Sequence, residues 1–192
     1  MLKRVYFDID GVFTNLTSFI EKYYGVTFKD GLVDFLVSET NMEPSDIFHK
    51  MLLKELKENK IFETLPRHHY FDEMLELMKD CVHEGYKVGF LTSLGELSIV
   101  TENGHDGGEE LVNQKLKWLK ANFPQSLLDK VTLNVSFSCK EKANFARPDT
   151  LLIDDRSVNC DDFERAGGHA FHYGHDRHSK CILALRTLLF HD

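Results

Sequence analysis

The chain has 192 residues, 42% of them hydrophobic, and a formal net charge of −8. This length and apolar content are enough for one α/β core with a small insertion. The acidic balance disfavours binding to nucleic acid or an anionic membrane, but it allows a small phosphorylated ligand held by a cation. Apolar runs stay short of the roughly 18 residues that a membrane-spanning helix needs. Four cysteines without a Cys-x-x-Cys pair, and no signal-peptide pattern, favour the cytoplasm.

Apolar runs and turn residues predict strands that alternate with helices along the chain. The predicted strands are residues 2–7, 87–91, 131–137, 150–153 and 170–172. The predicted core helices are residues 71–83, 111–123, 142–146, 161–166 and 182–189. Such alternation predicts a Rossmann-like, three-layer α/β core with a mostly parallel five-stranded sheet, covered by helices on both faces.

The stretch after the first strand interrupts this alternation. Residues 14–66 show helical spacing of apolar residues and few strand signals, so they predict a small helical cap. The remaining residues, 1–13 and 67–192, would form the catalytic core. The cap is rich in aromatic residues, and most of them are expected to form its own hydrophobic core.

Two carboxylates lie where the first strand ends. Asp8 and Asp10 are two positions apart on extended chain, so both point the same way, and Gly11 allows a tight turn beside a ligand. Carboxylates in one small site repel each other unless a cation or a proton lies between them. A Mg²⁺ ion bound together with a phosphate would remove the repulsion between the two carboxylates. The alternative interpretation of the motif is a surface turn whose carboxylates are solvated.

Polar residues follow two further strands. Thr92-Ser93 comes after the second strand and Asp154-Asp155 after the fourth. In parallel sheets, ligands bind beyond the carboxyl ends of the strands, so the three groups are expected to meet. The sequence therefore predicts a Mg²⁺-dependent site for phosphoryl transfer.

These motifs resemble those of the haloacid dehalogenase (HAD) superfamily, and more narrowly those of the 5'(3')-deoxyribonucleotidases and their phage and bacterial relatives. The resemblance rests on residues 8–12, 90–93, 140–142 and 151–156, with shorter matches at 117–119 and 175–178. It implies a Mg²⁺-dependent hydrolase, a phosphatase acting through an aspartyl-phosphate on a small phosphomonoester. Deoxyribonucleoside monophosphates, as for a 5'-nucleotidase, are the implied substrates, and neither nucleic acid nor membrane is an expected partner.

The resemblance also implies roles for individual residues. Asp8 would attack phosphorus, and Asp10 would protonate the departing alkoxide, which favours a phosphatase over a dehalogenase. Thr92 would bind the phosphoryl group, and Lys142, with Lys140 as the alternative, would neutralise it. The implied metal ligands are Asp8, the backbone carbonyl of Asp10, Asp154 and Asp155. Which of Asp154 and Asp155 contacts the metal directly is left open. The implied substrate-binding residues are Gly11, Thr92, Ser93, Phe62 and Arg156.

Other functions remain open at this point. A phosphatase of the same mechanism could act on a sugar phosphate. A cap that binds a sugar needs polar groups, whereas a cap that binds a nucleotide base needs aromatic faces. A polynucleotide 3'-phosphatase should have a basic groove, and a net charge of −8 argues against it. A non-catalytic binding protein is disfavoured because Asp8 and Asp10 are both present. A homodimer is compatible with the sequence.

Overall fold

The computed structural model describes residues 1–16, 18, 19, 22, 60–94, 106–174 and 178–190. Most of the predicted cap lies outside the described residues. The described strands are β1 (Arg4–Phe7), β2 (Lys87–Ser93), β3 (Thr132–Ser136), β4 (Thr150–Asp154) and β5 (His169–His172). The described helices are α1 (Ile61–Thr64), α2 (Phe71–His83), α3 (Asp106–Asn122), α4 (Gln125–Leu128), α5 (Ser157–Arg165) and α6 (His178–Phe190), with a 3₁₀ helix at Lys140–Phe145.

The five strands form one sheet in the order β3-β2-β1-β4-β5, and every neighbouring pair is parallel. Phe7, the last residue of β1, pairs with Ile153 of β4 and with Phe90 of β2. Asp8 therefore lies level with Asp154, and the end of β2 lies on the other side of β1. This topology confirms the predicted Rossmann-like core and brings the three polar strand ends to one edge.

Burial follows from the central position of β1. Val5 and Phe7 belong to the larger hydrophobic cluster, whereas Tyr6 packs in a second cluster with Leu152 and Phe163. Alternate residues of a strand face opposite sides of a sheet, so β1 is covered on both faces. The result is the expected order of helices, sheet and helices.

Several helices begin earlier than the apolar pattern predicts. Helix α3 starts at Asp106 rather than 111, α5 at Ser157 rather than 161, and α6 at His178 rather than 182. These first turns are mainly polar or glycine-containing, so they carry no apolar periodicity from which a start could be read. The short helix predicted at 142–146 is the 3₁₀ turn Lys140–Phe145.

The segment that returns from the insertion packs on the core helix α3. The indole nitrogen of Trp118 donates to the Leu65 carbonyl at 2.8 Å, and Lys117 pairs with Glu63 at 2.8 Å. Asn15, where the insertion begins, donates its backbone N–H to the Pro66 carbonyl at 2.9 Å. The two ends of the insertion therefore lie side by side, as a cap over the carboxyl edge requires. The domain boundaries at 13/14 and 66/67 stay a prediction.

Among the described helices, none combines the length and apolar character that crossing a membrane requires.

Candidate active site

Three carboxylates meet at the carboxyl edge of the sheet. Oxygen atoms of Asp8, Asp154 and Asp155 all lie within 4.8 Å of one another. Asp8 follows β1 and is 5% exposed, while Asp154 ends β4 and is fully buried. A cluster of oxygen donors of this charge suits a hard divalent cation such as Mg²⁺, so the residues present fit the metal that the sequence predicts.

Gly11 lies directly under this cluster. Its φ angle is +78°, and a Cβ atom built on it would lie 2.0 Å from the Asp155 Oδ2 atom. Any other residue would therefore be strained and would also displace the Asp155 carboxylate. The glycine of the first motif thus makes room for an acidic residue of the fourth.

Lys142 bridges two of the carboxylates. Its Nζ atom lies 2.7 Å from Asp8 Oδ2 and 2.7 Å from Asp154 Oδ2, and the residue is 1% exposed. Lys140, the alternative in the sequence, is exposed at the start of the 3₁₀ helix. Burial opposes the charge of Lys142, but the Asp8 and Asp154 carboxylates outweigh it and hold the pKa of Lys142 above its ordinary value.

The charge balance also affects Asp8. The pKa of Asp8 is raised to about 8, chiefly by burial; the ammonium of Lys142 lowers it, and the carboxylates of Asp154, Asp10 and Asp155 contribute to the rise. A divalent cation beside Asp8 would favour the ionised form, which is the form that can act as a nucleophile.

This pKa predicts how stability depends on pH. In EDTA, the free energy of unfolding should fall as pH rises from about 5 to 8, because the unfolded chain has already lost the Asp8 proton that the folded chain keeps. This group alone contributes a slope of up to about 1.4 kcal/mol per pH unit. Lys142 stays charged in both states over this window and adds no slope. Urea unfolding at several pH values measures the effect.

Asp8→Asn is the matched control, because its amide has a similar shape and does not titrate. The slope should be smaller in this variant, and saturating Mg²⁺ should reduce it in the wild type. An identical pH dependence for both metal-free proteins would contradict the raised pKa of Asp8.

A second buried lysine, Lys115, contacts the other two catalytic candidates, Asp10 and Thr92. The Nζ atom of Lys115 forms an ion pair with Asp10 Oδ2 and donates to Thr92 Oγ1 at 2.9 Å. Thr14 donates its hydroxyl to Asp10 Oδ1 at 3.1 Å. Lys115 is 2% exposed and therefore serves this site rather than the surface. Metal binding by the Asp10 backbone carbonyl stays a prediction.

Sequence reasoning missed Lys115, although the chain carries a signal. In α3, Leu111, Lys115 and Trp118 are spaced by four and three residues, so they share one face of the helix. Leu111 and Trp118 are buried. A buried lysine on the apolar face of a helix needs a partner for its charge, and Asp10, which is half-buried, is that partner.

Phe62 lies beside this lysine. The Lys115 Nζ atom is 4.3 Å from the centroid of the Phe62 ring, a cation–π contact, and Phe62 is only 4% exposed. The ring is therefore next to the site, but one of its faces is covered by the ammonium group.

Ser93 and Arg156 meet at the rim through a cysteine. Arg156 donates from Nη1 to the Cys139 Sγ atom at 2.9 Å, and the Ser93 hydroxyl lies 3.3 Å from the same sulfur. Arg156 is exposed, whereas Ser93 ends β2 and is half-buried. The structure thus brings both residues to the same edge as Asp8, and their contact with a substrate stays a prediction.

Two of the solved structures similar to the chain are described as HAD family proteins. A predicted HAD-like family hydrolase from Porphyromonas gingivalis has a TM-score of 0.53 at 16% identity, covering 100% of both chains. An HAD family enzyme from Bacteroides thetaiotaomicron, solved as a mutant with magnesium and inorganic phosphate, has a TM-score of 0.50 at 19% identity. That match covers 90% of this chain and 94% of the other. The chain therefore shares the fold of these HAD proteins.

The family to which the chain belongs is shown by the match of its sequence to a family model. The model of the "5' nucleotidase, deoxy (Pyrimidine), cytosolic type C protein" family matches residues 2–186, nearly the whole chain. The chain belongs to this family, and the predicted class of enzyme, an HAD-type phosphatase or 5'-nucleotidase, is confirmed. No curated protein matches the chain.

Proposed function

We propose that this protein is a Mg²⁺-dependent phosphatase that hydrolyses nucleoside monophosphates, deoxyribonucleotides above all, through an aspartyl-phosphate on Asp8. One observation carries the chemistry: Asp8 is buried between Lys142 and the carboxylates of Asp154 and Asp155. The family match supports the nucleotide part of the proposal.

The first half-reaction places a phosphoryl group on Asp8. Asp8, Asp154 and Asp155 would hold Mg²⁺, which when bound offsets the negative charge of the phosphoryl oxygens. The Asp8 carboxylate attacks phosphorus as the bond from phosphorus to the leaving oxygen breaks. Lys142, 2.7 Å from Asp8, stabilises the negative charge that collects there. Gly11, Thr92 and Ser93 line the strand ends where the phosphoryl group would bind.

Asp10 serves both half-reactions as proton carrier. In the first, it protonates the departing alkoxide; in the second, it takes a proton from the water that attacks the aspartyl-phosphate. Phosphate then leaves and the Asp8 carboxylate is restored. Lys115 ties the Asp10 carboxylate to the Thr92 hydroxyl, so the proton carrier is fixed relative to the phosphoryl site.

The proposal is tested by measuring phosphate release with Mg²⁺ and with EDTA. The panel should include 5'- and 3'-nucleoside monophosphates in ribo and deoxy forms, sugar phosphates, and an oligonucleotide with a 3'-phosphate. We expect Mg²⁺-dependent release that is fastest from deoxyribonucleotides. Release from sugar phosphates alone would contradict the substrate class, and no release from any monoester would contradict the proposal as a whole.

Lys115→Met should lower kcat by about 10²-fold, because Asp10 loses the ion pair that fixes it beside Thr92 at the phosphoryl site. Lys117→Met is the matched control, since Lys117 lies two residues further along α3 and is 54% exposed. We expect the control to retain nearly full activity in steady-state assays with Mg²⁺. Equal activity of the two variants would show that Lys115 has no part in turnover.

Phe62→Ala separates two roles for this ring. Stacking on a base would make the variant lose about 1–3 kcal/mol of nucleotide binding while p-nitrophenyl phosphate hydrolysis stays unchanged. A role as the support for Lys115 would instead lower kcat for both substrates by a similar factor. Because the ring is 4% exposed and lies under the ammonium group, we expect the second result. A nucleotide-specific rise in KM would establish the stacking role.

A further inference from the structure

Asn159 is a buried polar residue that the catalytic motifs do not include. It lies in the first turn of α5 and is 2% exposed. Its Nδ2 atom is 2.9 Å from Asp154 Oδ1 and 3.1 Å from Asp154 Oδ2, so the amide group spans both oxygens of that carboxylate.

The contacts of Asp154 connect Asn159 to the nucleophile. Asp154 Oδ1 also accepts from the backbone N–H of Arg156 at 3.0 Å, and Oδ2 accepts from Lys142 at 2.7 Å. Donors on both oxygens fix the plane of the carboxylate. The same Lys142 Nζ atom lies 2.7 Å from Asp8. Asn159, Asp154, Lys142 and Asp8 therefore form a continuous buried series of hydrogen bonds.

The charge of this series explains why the donor is an amide. Asp8 and Asp154 share the single ammonium of Lys142, and the negative charge that remains is what a divalent cation would bind. A cation at position 159 would compete with the metal for that charge. An apolar residue would leave the buried Asp154 oxygens with fewer donors. A neutral donor satisfies the oxygens and keeps the charge.

We propose that Asn159 is a positioning residue that acts through Asp154: it fixes this carboxylate so that Lys142 lies against Asp8 and the acidic cluster keeps its geometry for the metal. The inference rests on the proposed phosphatase reaction, and it adds a residue from α5 to the residues of the strand ends.

Asn159→Leu keeps the approximate shape of the side chain and removes the donor. Residues that orient metal ligands typically contribute about 10- to 100-fold to metal affinity or activity. We therefore expect kcat to fall by about 10- to 100-fold and the calorimetric Kd for Mg²⁺ to rise by about 10-fold, while KM for the substrate changes by less than about 3-fold. Asn159→Ser, whose hydroxyl is too short to span both oxygens, should change the same quantities in the same direction and replaces the leucine variant if that fails to fold.

A double-mutant cycle with Asp154→Asn tests the route of the effect. If Asn159 acts through Asp154, adding Asn159→Leu to Asp154→Asn should cause no further loss of Mg²⁺ affinity beyond about 2-fold. A further loss equal to that of the single variant would overturn the proposal, as would Asn159→Leu and Asn159→Ser proteins that bind Mg²⁺ like the wild type. Mg²⁺ calorimetry needs no turnover, so a wild type without phosphatase activity would count against the proposed function while leaving this test decisive.

Discussion

Asp8→Asn is expected to lower kcat by about 10³-fold or more, because the amide is a far poorer nucleophile and also removes a charge from the metal site. The similar shape of the amide should leave the fold intact. Asp129→Asn is the control, since Asp129 is exposed at the end of α4 and precedes β3, at the amino edge of the sheet rather than the carboxyl edge where Asp8 lies. Steady-state hydrolysis of p-nitrophenyl phosphate and of a nucleotide measures both variants. An Asp8→Asn protein that keeps a tenth of the wild-type rate would exclude Asp8 as the nucleophile.

Lys142→Met is expected to affect both stability and activity. Without the ammonium group, two buried carboxylates lose their shared partner, and breaking such a buried pair typically costs about 3–5 kcal/mol. Turnover should fall by about 10²- to 10³-fold, as when one electrostatic contact to the transition state is removed. Urea unfolding in EDTA measures the first effect and phosphate release with Mg²⁺ the second.

The stability loss in Lys142→Met is compared with that of a control variant and between two pH values. Lys140→Met removes an exposed lysine from the same 3₁₀ helix and should cost less than about 1 kcal/mol. The loss in Lys142→Met should be larger at pH 8 than at pH 5, since Asp8 can take up a proton at the lower pH. Equal stability of the two variants at pH 8 would contradict the bridging role of Lys142.

The residues at the strand ends could be predicted because parallel strands converge at one edge. Asp8, Thr92 and Asp154 each follow or end a buried strand, so alternation of strands and helices was enough to bring them together. The order of the strands carries no comparable signal in the sequence. It became known only from the pairing of β1 with both β2 and β4.

The residues that sequence reasoning missed come from helices. Lys115 reaches Asp10 from α3, and Asn159 reaches Asp154 from α5. Whether a helical residue faces a site depends on how the helix packs against the sheet, which no short motif encodes. Lys115 has a signal in its apolar neighbours, whereas Asn159 follows Val158 and the polar residues 154–157, and this stretch shows no apolar periodicity.

The structure also distinguishes the two acidic residues of the fourth motif. Asp154 accepts hydrogen bonds from Lys142, Asn159 and the Arg156 backbone, whereas the Asp155 carboxylate lies over Gly11. The sequence could not separate them because both follow the same strand. Their different surroundings arise from the turn after β4 and from the start of α5.

Trapping the aspartyl-phosphate tests the central claim most directly. Asp10→Asn should still form the intermediate from p-nitrophenyl phosphate, whose leaving group needs no protonation, but should be slow to hydrolyse it because no base activates water. Mixing this variant with Mg²⁺ and substrate should release p-nitrophenolate in a stoichiometric burst. Mass spectrometry of the acid-quenched protein should then find one phosphoryl group on the peptide that contains Asp8. Steady turnover by the wild type, without a burst or a phosphorylated Asp8 peptide in the variant, would contradict the proposed mechanism.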